Sequence, residues 1–165
     1  MTTPTDPIRF DEVFAEFPLL HSTPRSWAEL AAARLPEFLA DHAICEQQVA
    51  VYALSLAGCY PDDAELVERA AALAAEEVQH FRRVVAILKK WDWSLGGRRK
   101  TVWAQSLRPR IVLGHEPSTK VDRLLFSAMV EARSYERFTR LLEVIDDLEV
   151  AHLLADLGPA ERRHW

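Results

Sequence analysis

Glu77 and His80 carry the first chemical signal in this sequence. They lie three apart in an alanine- and leucine-rich run, so on a helix both side chains leave one face about a turn apart. A carboxylate and an imidazole on a buried face are costly unless something pairs them, and a divalent metal does so. The same pair recurs at Glu161 and His164, and single carboxylates interrupt two further apolar stretches at Glu46 and Glu131. At helical spacing Glu46 is flanked by Leu39, Ala43, Ala50, Ala53 and Ala57, and Glu131 by Leu124, Ala128, Tyr135, Phe138 and Leu142. One such acid would be a misjudged helix rotation. Four form a pattern.

The elements that must position these groups are helices. Pro4, Pro7, Pro18 and Pro24 break up residues 1–25, which read as an arm draped over a single domain spanning 26–165. Ser26 can cap a short helix to about Leu35, and Pro36 suits the first turn of a long helix that Pro61 stops. Asp62 or Asp63 caps a second long helix to about Trp91, and a third runs from about Lys120 to Val144. Asp146-Asp147 marks a tight turn before a fourth, from near Leu148. The connection over about 92–119 is long, with Gly96-Gly97, Pro109 and Pro117, and has room for a short helix near 101–113. No stretch alternates long enough for a strand. The expected fold is all-α: a ferritin-like four-helix bundle with one long crossover and short accessory helices.

Distances along the helices test the pattern. Glu46 lies 15 residues before the turn near residue 61 and Glu77 lies 16 after it; Glu131 and Glu161 lie 15 either side of the turn near 146. At 1.5 Å per residue each acid stands about 22 Å from its turn, level with its hairpin partner. The chain therefore repeats Glu, then Glu-x-x-His, the ligand set of di-iron and di-manganese carboxylate bundles. Four carboxylates also neutralise two divalent ions. A third match, Glu149 to His152, lies too close to the second turn and reads as a first-turn acid and a surface or packing histidine. His42, one turn before Glu46, suits either a ligand-supporting role or a satisfied core histidine. Tyr135, one turn after Glu131, suits core packing better than a hydrogen bond to metal-bound water. Glu136 is the rival to Glu131 on the third helix. Iron fits chemistry with dioxygen, which zinc does not; manganese is the alternative metal.

The net charge of −5 argues against a general nucleic-acid binder. Residues 89–123 nonetheless carry nine Lys/Arg against Asp92, Glu116 and Asp122, a balance of +6 that leaves −11 elsewhere. Such a patch can bind phosphates, although charge alone leaves a solvated loop as the plainer reading. No apolar run is long enough to span a membrane, and the polar start shows no export signal. Cys45 and Cys59 then read as buried free thiols in a reducing cytoplasm.

Longer runs carry a resemblance. Asp41-His42-Ala43-Ile44-Cys45-Glu46, Glu76-Glu77-Val78-Gln79-His80, His115-Glu116-Pro117, Glu131-Ala132-Arg133-Ser134-Tyr135-Glu136-Arg137-Phe138 and Glu161-Arg162-Arg163-His164 resemble the motifs of the tRNA 2-methylthio-isopentenyladenosine hydroxylases. Thr23-Pro24 and Trp27 fit as well. The resemblance implies an oxygen-dependent, non-haem di-iron monooxygenase that hydroxylates the isopentenyl group of a modified adenosine beside the tRNA anticodon. By that pattern Glu46 and Glu131 are terminal ligands, Glu77 and Glu161 bridge, and His80 and His164 each cap one iron. It also implies a tRNA anticodon stem-loop held by Arg98, Arg99, Lys100, Arg108 and Arg110, and an electron-donating partner or reductant. Either a monomer or a homodimer suits it. The alanine stripe at Glu46 would leave space for a prenyl chain. A small-molecule di-iron hydroxylase and an iron-storage bundle are the alternatives on the same scaffold. Gly158-Pro159 should kink the last ligand helix, and Tyr135 stands where the family pattern suggests a smaller residue. His164, on the final turn, would fray unless a further segment or a neighbouring chain secured it.

Overall fold

The computed structural model describes residues 16–96 and 102–165. Among these, all regular structure is helical, in the order α1 (Arg25–Ala33), α2 (Leu35–Cys59), α3 (Ala64–Lys90), α4 (Val102–Leu107), a 3-10 turn (Arg108–Arg110), α5 (Ser118–Leu142) and α6 (Leu148–His164). The long helices begin and end where local chemistry dictates. Pro36 lies in the first turn of α2, where its missing N–H costs nothing. Asp63 caps α3 by accepting from the Leu66 amide at 3.0 Å, and Asp147 caps α6 by accepting from the Val150 amide at 3.0 Å. Lys89 and Lys90 sit against the negative end of the α3 dipole. The short first helix begins a residue before Ser26, so Ser26 lies inside it.

The chain forms two compact units, Arg34–Ala128 and Met129–Trp165 with the N-terminal segment up to Ala33. In the first, α2 and α3 form a hairpin closed by a seam of Ala50, Ala53, Ala70 and Ala74, bordered by Ala57 and Leu73. Side chains this small let two helices approach closely. The alanines beside Glu46 are therefore filled contacts between α2 and α3, not space for a prenyl chain. The start of α5 docks on the hairpin turn: Tyr52 donates its hydroxyl to the Arg123 carbonyl at 3.1 Å, Tyr60 donates to Glu116 at 2.7 Å, and Lys120 pairs with Asp63.

In the second unit, Phe17 and Leu19 form a core with Ala132 and Tyr135, against which Met129 packs. Arg137 lies over the Trp27 ring, 5.1 Å from its centroid, and joins α1 to α5. The helix α6 runs unbroken through Pro159. Proline removes one backbone donor, but the flanking turns stay helical, and Leu153, Leu154, Leu157 and Ala160 are buried around it. Gly158 lies under the Tyr135 ring, and a Cβ placed there would meet ring carbons at 3.4 and 3.5 Å, ordinary van der Waals contact. Gly158→Ala should therefore stabilise the protein by about 1 kcal/mol through helix propensity. A higher urea midpoint with an unchanged slope would show it; a lower midpoint would mean that the Tyr135 contact cannot yield.

The two cysteines are free, but neither is buried as expected. Cys45 is half-buried and Cys59 is exposed. Cys59 ends α2, where the helix has left the seam, and Arg123 reaches its sulfur at 2.8 Å.

Candidate metal centre

The α2/α3 seam sets the register of the first group of ligands. Glu46 lies one turn before Ala50 on α2, and Glu77 and His80 follow Ala74 on α3, so the hairpin brings all three to one level. Their donor atoms lie within 4.8 Å of one another. His80 Nδ1 is 3.5 Å from Glu46 Oε2 and 3.7 Å from Glu77 Oε1. All three side chains are buried, Glu77 to 1% exposure. His42 joins them, its Nε2 2.7 Å from Glu46 Oε1. The contact is close but is not an aligned hydrogen bond.

The second group lies on α5 and α6. Glu131 and Glu161 are buried and His164 is half-buried, with His164 Nδ1 3.8 Å from Glu131 Oε2. Both oxygens of Glu46 and Oε1 of Glu131 are buried and accept no aligned hydrogen bond. An ionised carboxylate left so in a protein interior is expensive. Hard carboxylate oxygens with borderline imidazole nitrogens are the donor set of iron or manganese, and this donor chemistry fits such a metal.

The electrostatics of the first group point the same way. Burial pushes the Glu46 carboxyl up, but His42, His80 and Glu77 outweigh it and hold it well below the usual carboxylate range. Burial alone would lower His80, yet Glu46 and Glu77 raise it to about 9. The metal-free chain therefore holds His80 as imidazolium at neutral pH, and a metal must displace that proton. Metal affinity should rise about tenfold per pH unit up to about 9, then level off. Stability of the metal-free chain follows the opposite sign for this group: His80 stabilises fully below its ordinary 6.5, and the contribution is lost as pH rises through about 9. Glu46, being depressed, contributes above its ordinary 4.5, and that contribution is lost on acidification. Calorimetric titrations of manganese(II) across this range, in buffers of different ionisation heat, would count the released proton; an affinity flat with pH would contradict the arrangement.

The other residues singled out in the sequence lie as follows. Glu136, the rival to Glu131, is fully buried but engaged elsewhere: it accepts from the Thr23 amide at 2.5 Å, the Thr23 hydroxyl at 2.6 Å and Arg133 at 3.0 Å. Arg133 also donates to the His21 carbonyl, and Arg140 to the Thr23 carbonyl. Tyr135 packs edge-on against Phe17 and over Gly158; burial raises its hydroxyl, with Arg162 and Glu16 as its charged neighbours. Glu149 and His152 are exposed, and so are His115, Arg108 and Arg110. Arg98, Arg99 and Lys100 lie outside the described residues. The Thr23–Arg133–Glu136–Arg140 cluster was missed by the helix-face reading. The acid at 136, one turn and a half from Glu131, was its only local trace.

Comparison with known proteins completes this picture. Residues 12–165 match the family model of tRNA-(MS2IO6A)-hydroxylase (MiaE). A curated relative, the tRNA 2-(methylsulfanyl)-N(6)-isopentenyladenosine(37) hydroxylase of Pseudomonas putida, is 36% identical over 143 residues, which cover 87% of this chain and 69% of the relative. The protein of the same description from Salmonella typhimurium is 32% identical over 102 residues, 61% of this chain and 37% of that one. Among solved structures, a protein from Synechococcus described as having aldehyde deformylating oxygenase activity superposes with a TM-score of 0.84 at 35% identity, covering 88% of this chain and 72% of that one. The fold class is the all-α, ferritin-like one read from the helix lengths and the long crossover. The chain belongs to the tRNA-(MS2IO6A)-hydroxylase (MiaE) family and is an enzyme, an oxidoreductase.

Proposed function

We propose that this chain is an oxygen-dependent, non-haem di-iron monooxygenase that hydroxylates the isopentenyl group of 2-methylthio-isopentenyladenosine beside the tRNA anticodon. The carrying observation is that each half of the repeated Glu, Glu-x-x-His pattern falls on buried helix faces inside a chain that matches the family over residues 12–165. In this reading Glu46, Glu77, His80, Glu131, Glu161 and His164 supply the ligands of two iron ions, with manganese as the alternative. Iron bound there supplies the redox chemistry that activates dioxygen. One oxygen atom enters a C–H bond, the other leaves as water, and a reductant or donor protein supplies two electrons.

The chain's own residues do the rest. The buried helix faces exclude water from the reacting groups. His42, with its Nε2 2.7 Å from Glu46 Oε1, restrains that carboxylate. Arg108 and Arg110, exposed on the crossover, and Arg98, Arg99 and Lys100 in the same basic run, contact phosphates of the anticodon stem-loop. The substrate places the enzyme in the cytoplasm. Residues 26–165 act as one domain. No helix among the described residues is long and apolar enough to cross a membrane.

The test is mass spectrometry of nucleosides from prenylated tRNA incubated with the reduced, iron-loaded chain and oxygen. The expected product is the modified adenosine heavier by one oxygen atom, and its absence would overturn the reading. The likeness to the Synechococcus protein favours a second reading, oxidation of a small molecule. That reading predicts turnover without tRNA and indifference to charge reversal at Arg108 and Arg110.

A further inference from the structure

His164 stands on the last turn of α6, one residue before Trp165. A side chain that binds a metal must be held to within about 0.5 Å, which takes tertiary contacts on the turn that bears it. The contacts on this turn come from Glu16 and Phe17, well over a hundred residues earlier in the sequence.

Phe17 is buried between two rings. Its centroid is 5.7 Å from that of Tyr135 and 5.6 Å from that of Trp165, edge-on to both. Tyr135 lies one turn after Glu131, and Trp165 directly follows His164. Glu16 adds an ion pair to Arg162 at 2.9 Å, within the same last turn. The segment carrying Phe17 is itself anchored, because Thr23 is held by Glu136 and Arg140. A short brace thus runs along α5 and ends against the turn that bears His164.

We propose that Phe17 is a positioning residue for the His164 half of the metal centre, holding the end of α6 so that His164 meets Glu131. The proposal rests on the metal-binding reading above. Its test is calorimetric titration of manganese(II) into the metal-free full chain, with hydrogen exchange of the same metal-free chain read at residues 161–165.

In the parent, two ions bind. In Phe17→Ala one ion binds as before, at Glu46, Glu77 and His80, while the other weakens about tenfold or more. Exchange in the last turn of α6 quickens, and exchange in α2 and α3 does not. Phe17→Leu, which keeps most of the buried volume, restores part of the loss, and it serves as the folded variant if alanine is not tolerated. Two parent-like affinities with unchanged exchange would overturn the proposal. So would an equal weakening of both ions with a lowered melting temperature, since that is the mark of general destabilisation. A parent chain that binds no manganese would overturn the metal reading instead, and exchange in the last turn would still decide whether Phe17 braces it.

Discussion

Replacing Glu77 with alanine is expected to lower both iron uptake and tRNA hydroxylation by more than about a hundredfold. Losing a group that only supports a metal ligand already costs about 10–100-fold, and loss of the ligand itself costs more. His42→Ala supplies that milder comparison, with an expected loss of about 10–100-fold, because His42 touches Glu46 and is not among the clustered donors. The separation between the two variants is the informative result. Stability should move differently. Glu77 is almost fully buried among other ionisable groups, and the metal-free chain bears the cost of its desolvation. Glu77→Gln keeps the shape and takes one of two carboxylates from His80, with Glu46 still paired to it, so the metal-free variant should melt within a few degrees of the parent while binding iron poorly. A Glu77→Gln chain that takes up two irons at the parent's affinity would remove Glu77 from the site. A large fall in melting temperature would mean instead that this carboxylate is structural.

The reverse holds for Glu136, only five residues from Glu131. Glu136→Ala should cost about 3–5 kcal/mol, the range for breaking a buried ion pair and leaving one partner uncompensated. Arg133 would lose its carboxylate, and the Thr23 amide would lose its acceptor. For a chain of this size that corresponds to a melting temperature lower by roughly 10 °C, measured by scanning calorimetry. Glu149→Ala, exposed on the first turn of α6, is the control and should change stability by less than about 0.5 kcal/mol. Each folded Glu136→Ala molecule should still bind the ion at Glu46, Glu77 and His80 with the parent's affinity. A variant that melts like the parent but has lost one ion would exchange the roles assigned to Glu136 and Glu131.

That exchange of roles marks where reading the sequence stopped. Glu131 and Glu136 are both acids on one amphipathic helix, and both are fully buried. The apolar face of a helix is wide, so periodicity alone does not tell a ligand from a structural anion. Thr23, 113 residues away, engages Glu136 by placing an amide and a hydroxyl against it. A contact of that span leaves no local trace. The alanine stripe at Glu46 is a similar case: small residues read equally as a cavity or as a close helix contact, and only the partner helix, with Ala70 and Ala74, shows it to be a contact. Gly158-Pro159 reads as a kink because both residues disfavour helix, and the helix nonetheless continues through the pair. Burial on both sides of the pair and the Tyr135 ring over Gly158 outweigh that local preference, about 3 kcal/mol for the proline.

What the sequence determined by itself is what depends on short-range geometry. Helix ends followed from Pro36, Asp63 and Asp147, because caps act within a turn. The heights of Glu46, Glu77 and His80 followed from a constant rise per residue and one tight turn, and the hairpin indeed gathers these three. The tertiary structure decided the rest: which acid near residue 131 is engaged by the N-terminal segment, why Cys59 is exposed, and what holds the last turn of α6. Each of these depends on a partner far away in the chain, and packing chooses such partners by shape and by unmet hydrogen bonds, neither of which is written in local spacing.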